Sequence, residues 1–135
     1  MTPPSFALAS LLVALGGGFG AWLRMVTGRL WTMAIGPIAA SAFPWATLTA
    51  NVLGSAAMGV LVGWLARHST GGEHWRLLLG VGVLGGFTTF SSFSLEMMLL
   101  IERGQAAQAL AYALISVLAG LTALYIGLIV MRVAA

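Results

Sequence analysis

Four long apolar stretches, at about residues 6–26, 45–65, 75–101 and 106–131, take up most of the chain, and each is near the roughly 20 residues that a helix needs to cross the hydrocarbon core of a bilayer. Charged residues make up only 7% of the sequence, against about 25% in an ordinary soluble domain. That is too little polar surface to face water on every side, so a soluble domain with a large core is excluded. The runs are continuously apolar, whereas the strands of a transmembrane barrel alternate polar and apolar positions. The sequence therefore predicts an all-α integral membrane protein: a single transmembrane domain over residues 1–135 with four spanning helices and short connections.

The polar residues define the connections. Thr27-Gly28-Arg29 closes the first stretch, and Gly36-Pro37 and Pro44 mark the link to the second. The run from Arg67 to His74 is the most hydrophilic of the chain, and Glu102-Arg103-Gly104-Gln105 reads as a tight turn. Trp31, Trp45, Trp64 and Trp75 fall near stretch ends, where interfacial aromatic belts belong. With four spans, Arg67, Arg76 and Arg132 lie on one side and Arg24, Arg29 and Arg103 on the other. The positive-inside rule then gives no preferred orientation, as expected of a chain that inserts both ways up. Two inverted copies of such a chain can build one assembly with its site between them.

Several chemistries are excluded. The chain has no cysteine, hence no disulfide, thiol nucleophile or thiolate metal site. It has no Asp, and its only acids, Glu73, Glu96 and Glu102, form no Ser/His/acid set; no enzyme is expected. The basic balance comes from six scattered arginines and a shortage of acids, which is not a nucleic-acid footprint. Gly80-x-Gly82-x-x-Gly85 matches a dinucleotide fingerprint by letter but lacks the strand and acidic partner that the fingerprint requires. His68 and His74, with Glu73 in a polar loop, read as solvated residues and not as a metal site.

The third stretch is anomalous. Gly85-Gly86-Phe87-Thr88-Thr89-Phe90-Ser91-Ser92-Phe93-Ser94 puts five hydroxyls and three aromatic rings where a plain span carries Leu, Ile and Val. Irregular backbone at membrane depth is tolerated only where protein or a wet cavity surrounds it, so the helix is expected to be broken near Gly85–Thr89. On a helical course, Phe87, Phe90 and Phe93 share one drifting face and Thr88, Ser91 and Ser94 an adjacent stripe. Ring edges carry positive potential and hydroxyls donate hydrogen bonds; together they line a path for a small, strongly hydrated anion. Asn51, inside the second stretch, adds an amide that must face the protein interior. Arg24 either snorkels to the interface or forms a positive vestibule. Glu96, one turn past Phe93, is a membrane-segment acid and so a functional candidate at the same vestibule. Small residues at four-residue spacing (Gly16 and Gly20; Ser55, Gly59 and Gly63; Gly82 and Gly86) predict close helix packing.

Three motifs, GGGFGAWLR, TLTANVLGSAAMG and GVLGGFTTFSSFS followed by Leu95-Glu96, resemble those of the small bacterial fluoride channels, the Fluc or CrcB family, over essentially the whole chain. Departures are few: Ala46 where Gly is common, Met25 where an aromatic is common, and Ser92 where Thr is frequent. The resemblance implies an antiparallel, dual-topology homodimer in the bacterial inner membrane that conducts fluoride passively and exports it. It also implies a structural, untransported Na⁺ at the dimer centre, held by the backbone carbonyls of Gly85 and Thr88 from each copy. Phe90 and Phe93 match the fluoride-contacting rings and Asn51 the pore asparagine, while Ser91, Thr89 and Tyr112 match polar lining; Phe87 is assigned to packing. The alternative is a small dual-topology, proton-coupled multidrug exporter, which needs a membrane-buried acid; Glu96 is the one candidate.

Overall fold

The computed structural model describes residues 4–67 and 72–133. Its elements are α1 (Phe6–Ala42), α2 (Trp45–Leu65), α3 (Gly72–Trp75), a π-helical stretch (Arg76–Leu84), α4 (Gly85–Phe87), α5 (Phe90–Glu102) and α6 (Ala106–Val133). Four helical segments, Phe6–Ala42, Trp45–Leu65, Gly72–Glu102 and Ala106–Val133, are long and apolar enough to cross a membrane. His68 lies outside the described residues.

Ser5 caps α1, its hydroxyl accepting from the Leu8 N–H. The helix does not end near Val26 as the polar turn at Thr27 predicts; it continues to Ala42. Thr27 donates to the Leu23 carbonyl (2.9 Å) and Thr32 to the Gly28 carbonyl (3.0 Å). Hydroxyls that bond back along the helix in this way need no exit to water. The real discontinuity is Gly36, whose φ of 81° only glycine adopts cheaply; Pro37 follows and removes a backbone donor. The chain then turns through extended Phe43 and Pro44 into α2.

Between α4 and α5 the backbone leaves helical geometry for two residues: Thr88 (φ −79°, ψ 158°) and Thr89 (φ −154°, ψ 129°) are extended. The neighbouring Gly85 has ordinary right-handed helical dihedrals (φ −63°, ψ −37°). The Thr88-Thr89 interruption also separates Phe87 from Phe90 and Phe93, so the three rings do not share one continuous helical stripe.

Backbone contact through glycine organises the bundle. A Cβ added at Gly20 would overlap the Val83 carbonyl oxygen, and one at Gly86 the carbonyl of Gly17. On the opposite seam, a Cβ at Gly59 would strike the Leu124 carbonyl and one at Gly127 that of Ala56. α1 therefore packs on the π-helical stretch and α4, while α2 packs on α6. A small buried cluster of Leu100, Ala109 and Tyr112, flanked by Phe43, Leu48, Phe93 and Met97, ties α5 to α6. Most large apolar side chains point outward, as a lipid-facing surface requires. Trp31 stacks on Trp45 with ring centroids 5.5 Å apart, and Trp64 meets Trp75 edge-on.

Candidate ion pathway

The extended pair is held from α2. Asn51 Oδ1 accepts from the Thr89 N–H (2.9 Å), and Asn51 Nδ2 donates to the Thr89 carbonyl (3.2 Å). Because an N–H can only donate, this pairing fixes which end of the amide faces which atom. In an uninterrupted helix the Thr89 N–H would close on Gly85; here it is diverted to Asn51. The Thr88 carbonyl likewise loses its regular donor, because the Ser92 N–H turns to Thr89 Oγ1 (3.2 Å). Thr89 thereby caps α5, and its hydroxyl also lies 3.3 Å from both Ser91 Oγ and Ser92 Oγ. Arg24 Nη1 reaches the Thr88 carbonyl at a long 3.5 Å.

A cavity of about 300 Å³ opens beside this segment, lined by Asn51, Gly54, Ser55, Thr88, Thr89 and Phe90 among others, none of them charged. Phe90 stands 80% exposed at its edge. Phe93 lies 5.8 Å from Phe90 between ring centroids and 5.0 Å from Tyr112, so it bridges the open groove and the interior cluster. Ser94 returns its hydroxyl to the Phe90 carbonyl (2.9 Å).

Glu96 sits behind this line of rings. Its Oε1 accepts from the Thr47 hydroxyl (2.6 Å) and its Oε2 from the Tyr112 hydroxyl (2.8 Å). Thr47 is buried at 6% exposure, and sequence reasoning gave it no role; an acid two helices away was the only signal, and nothing in the spacing pairs the two. Ser116, one turn beyond Tyr112, has a buried hydroxyl with no partner among the described residues. The structure thus brings Asn51, Thr88, Thr89, Phe90, Phe93, Ser91 and Arg24 to one segment, with Tyr112 and Glu96 adjoining through Phe93. Gly85 lies one helical turn before Thr89.

The family model described as CrcB-like protein, Camphor Resistance (CrcB), matches residues 11–128. A protein of Novosphingobium aromaticivorans named fluoride-specific ion channel FluC is 60% identical over 124 residues, covering 92% of this chain and 96% of that protein. Proteins of the same name from Erythrobacter litoralis and Sphingopyxis alaskensis are 53% and 52% identical, over 96% and 89% of this chain and 95% and 92% of their own lengths. The resemblance read from the three motifs is borne out. Four spanning helices and these bacterial relatives make it a multi-pass protein of the bacterial inner membrane. On the match of the family model over residues 11–128, the chain belongs to the CrcB-like family.

Proposed function

We propose that the protein is a passive fluoride channel that works as an antiparallel homodimer. The observation that carries this reading is the Thr88-Thr89 interruption held by Asn51. Discontinuous membrane helices offer opposite partial charges at their cut ends: a half-helix N-terminus favours an anion and freed carbonyls favour a cation. Here the N-terminus of α5 opens beside hydroxyls and the Phe90 ring, in a groove that carries no charged side chain. Dipoles and ring edges bind an anion weakly at several points, which conduction needs; Arg24 stays on the Thr88 carbonyl at the border of the groove and is not one of its lining residues. The relatives' name supplies the identity of the anion. The groove is open on the face of a single copy, and a second copy placed antiparallel would close it into a path.

The residues also fit a structural Na⁺. The carbonyls of Gly85 and Thr88 have lost the backbone donors that a continuous helix would give them, and hard oxygen ligands suit such a cation. Each of two copies would contribute both carbonyls, and the bound charge would fix the two interrupted segments against each other. The purified protein should therefore run as a dimer whose thermal stability falls when Na⁺ is replaced by a large organic cation. A monomer, or melting indifferent to Na⁺, would contradict this part of the reading.

Passive conduction suffices for export. A membrane potential, negative inside, drives each anion outward with about 2.3 kcal/mol per 100 mV. The exporter alternative would need Glu96 as its proton-exchanging acid; both of its oxygens instead accept hydrogen bonds, from Thr47 and Tyr112, and the family match argues for a channel. Phe90→Ile and Phe93→Ile should each cut fluoride efflux from vesicles by at least about tenfold, since the apolar isostere keeps bulk but loses the ring edge. Wild-type flux in both variants would return the rings to packing.

A further inference from the structure

On the side of the α1–α2 connection, a second cavity of about 610 Å³ lies between the last turns of α1 and the start of α2, with Arg29, Thr32, Trp31, Trp45 and Glu96 among its walls. It exists because α1 does not stop at Thr27. The helix carries Arg29 and Thr32 onward to Gly36, whose kink swings Pro37–Ala42 across towards Glu96. The same Glu96 borders a smaller neighbouring cavity beyond Ala40 and Pro44. Arg103 closes off that side by donating to the Ser41 carbonyl (3.2 Å).

The arginines here have different commitments. Arg24 reaches the Thr88 carbonyl and Arg103 the Ser41 carbonyl. Arg29 is exposed and makes no hydrogen bond or ion pair among the described residues. Its charge is therefore free to act on whatever enters the cavity. The one acid of the cavity, Glu96, is held by the Thr47 and Tyr112 hydroxyls and forms no ion pair with Arg29. The volume suits an anion that still carries water, since each water needs roughly 30 Å³.

We propose that this cavity is a capture site for small hydrated inorganic anions, with Arg29 as its attracting cation. The site rests on the channel reading and extends it. Arg29 concentrates anions at the mouth, where a charge set in low-dielectric walls acts most strongly. Glu96 in the same wall keeps an arriving ion from settling there, so the site supplies ions without trapping them.

The chain has no cysteine, which permits a direct measurement of the cavity's potential. Thr32→Cys places a thiol in its wall, and the rates of modification by an anionic and a cationic thiol reagent of equal size report the local charge. The anionic reagent should be favoured, and adding Arg29→Gln should lower the anionic-to-cationic ratio by about tenfold at low ionic strength. Arg29→Lys should preserve the ratio, and roughly 1 M salt should erase it by screening. In flux assays at low salt and low fluoride, Arg29→Gln should slow efflux and the deficit should vanish in high salt. A reagent ratio unchanged by Arg29→Gln would overturn the proposal, whatever the flux. A wild-type protein that passes no fluoride would instead contradict the channel reading, and the reagent ratio would still decide the capture site.

Discussion

Asn51→Ala should lower fluoride flux by at least about tenfold while the protein stays folded. The substitution removes the acceptor of the Thr89 N–H and the donor to the Thr89 carbonyl together. Interhelical side-chain hydrogen bonds in membranes average only about 0.6 kcal/mol, because the freed groups find other partners. Stability should therefore fall by no more than about 1–2 kcal/mol, read as thermal unfolding in detergent. Flux depends on where Thr89 sits as well as on whether its groups are bonded, so the extended segment relaxes and the path is lost. Asn51→Asp keeps the acceptor, loses the donor and adds a negative charge to an uncharged groove; it should conduct as poorly as the alanine variant or worse. Flux that tracks only the amount of folded protein would reduce Asn51 to an interhelical tie.

The second large effect concerns stability. Gly20→Ala and Gly59→Ala each drive a methyl into a backbone carbonyl of a neighbouring segment, Val83 in the first case and Leu124 in the second. A backbone cannot rotate away as a side chain can, so each should cost about 1–3 kcal/mol as overpacking, and leucine at either position should prevent assembly. Gly18, two residues from Gly20, has nothing within 4 Å of an added Cβ. Gly18→Ala should be neutral or stabilising by up to about 1 kcal/mol through helix propensity. The opposite signs at Gly18 and Gly20 make a test within one helix. Equal melting temperatures for the two alanine variants would mean that the α1 seam is looser than the contacts imply.

The membrane class and the helical content were legible because hydropathy reports them directly. The end of α1 was not, since Thr27, Gly28 and Arg29 look like a turn until the bonds of the Thr27 and Thr32 hydroxyls back along the helix are seen. Gly85-Gly86 stood out in sequence as the start of irregular backbone. The structure keeps both residues helical and uses Gly86 for contact with Gly17, while the extended residues are the two threonines. β-Branched residues fit extended backbone well, and a threonine hydroxyl can cap the helix that follows. Composition could mark the segment but not assign those roles. Asn51 was recognisable as an interior amide, and only the fold names Thr89 as its partner. The pairing of Glu96 with Thr47 and Tyr112 is a contact across three helices that no local pattern contains.

The central claim is tested most directly by loading vesicles that contain the purified protein with fluoride and following its release after a K⁺ ionophore is added to balance charge. The account predicts rapid fluoride efflux that depends on the ionophore, with vesicles loaded with chloride retaining their contents. Vesicles that hold fluoride as firmly as chloride under those conditions would contradict it.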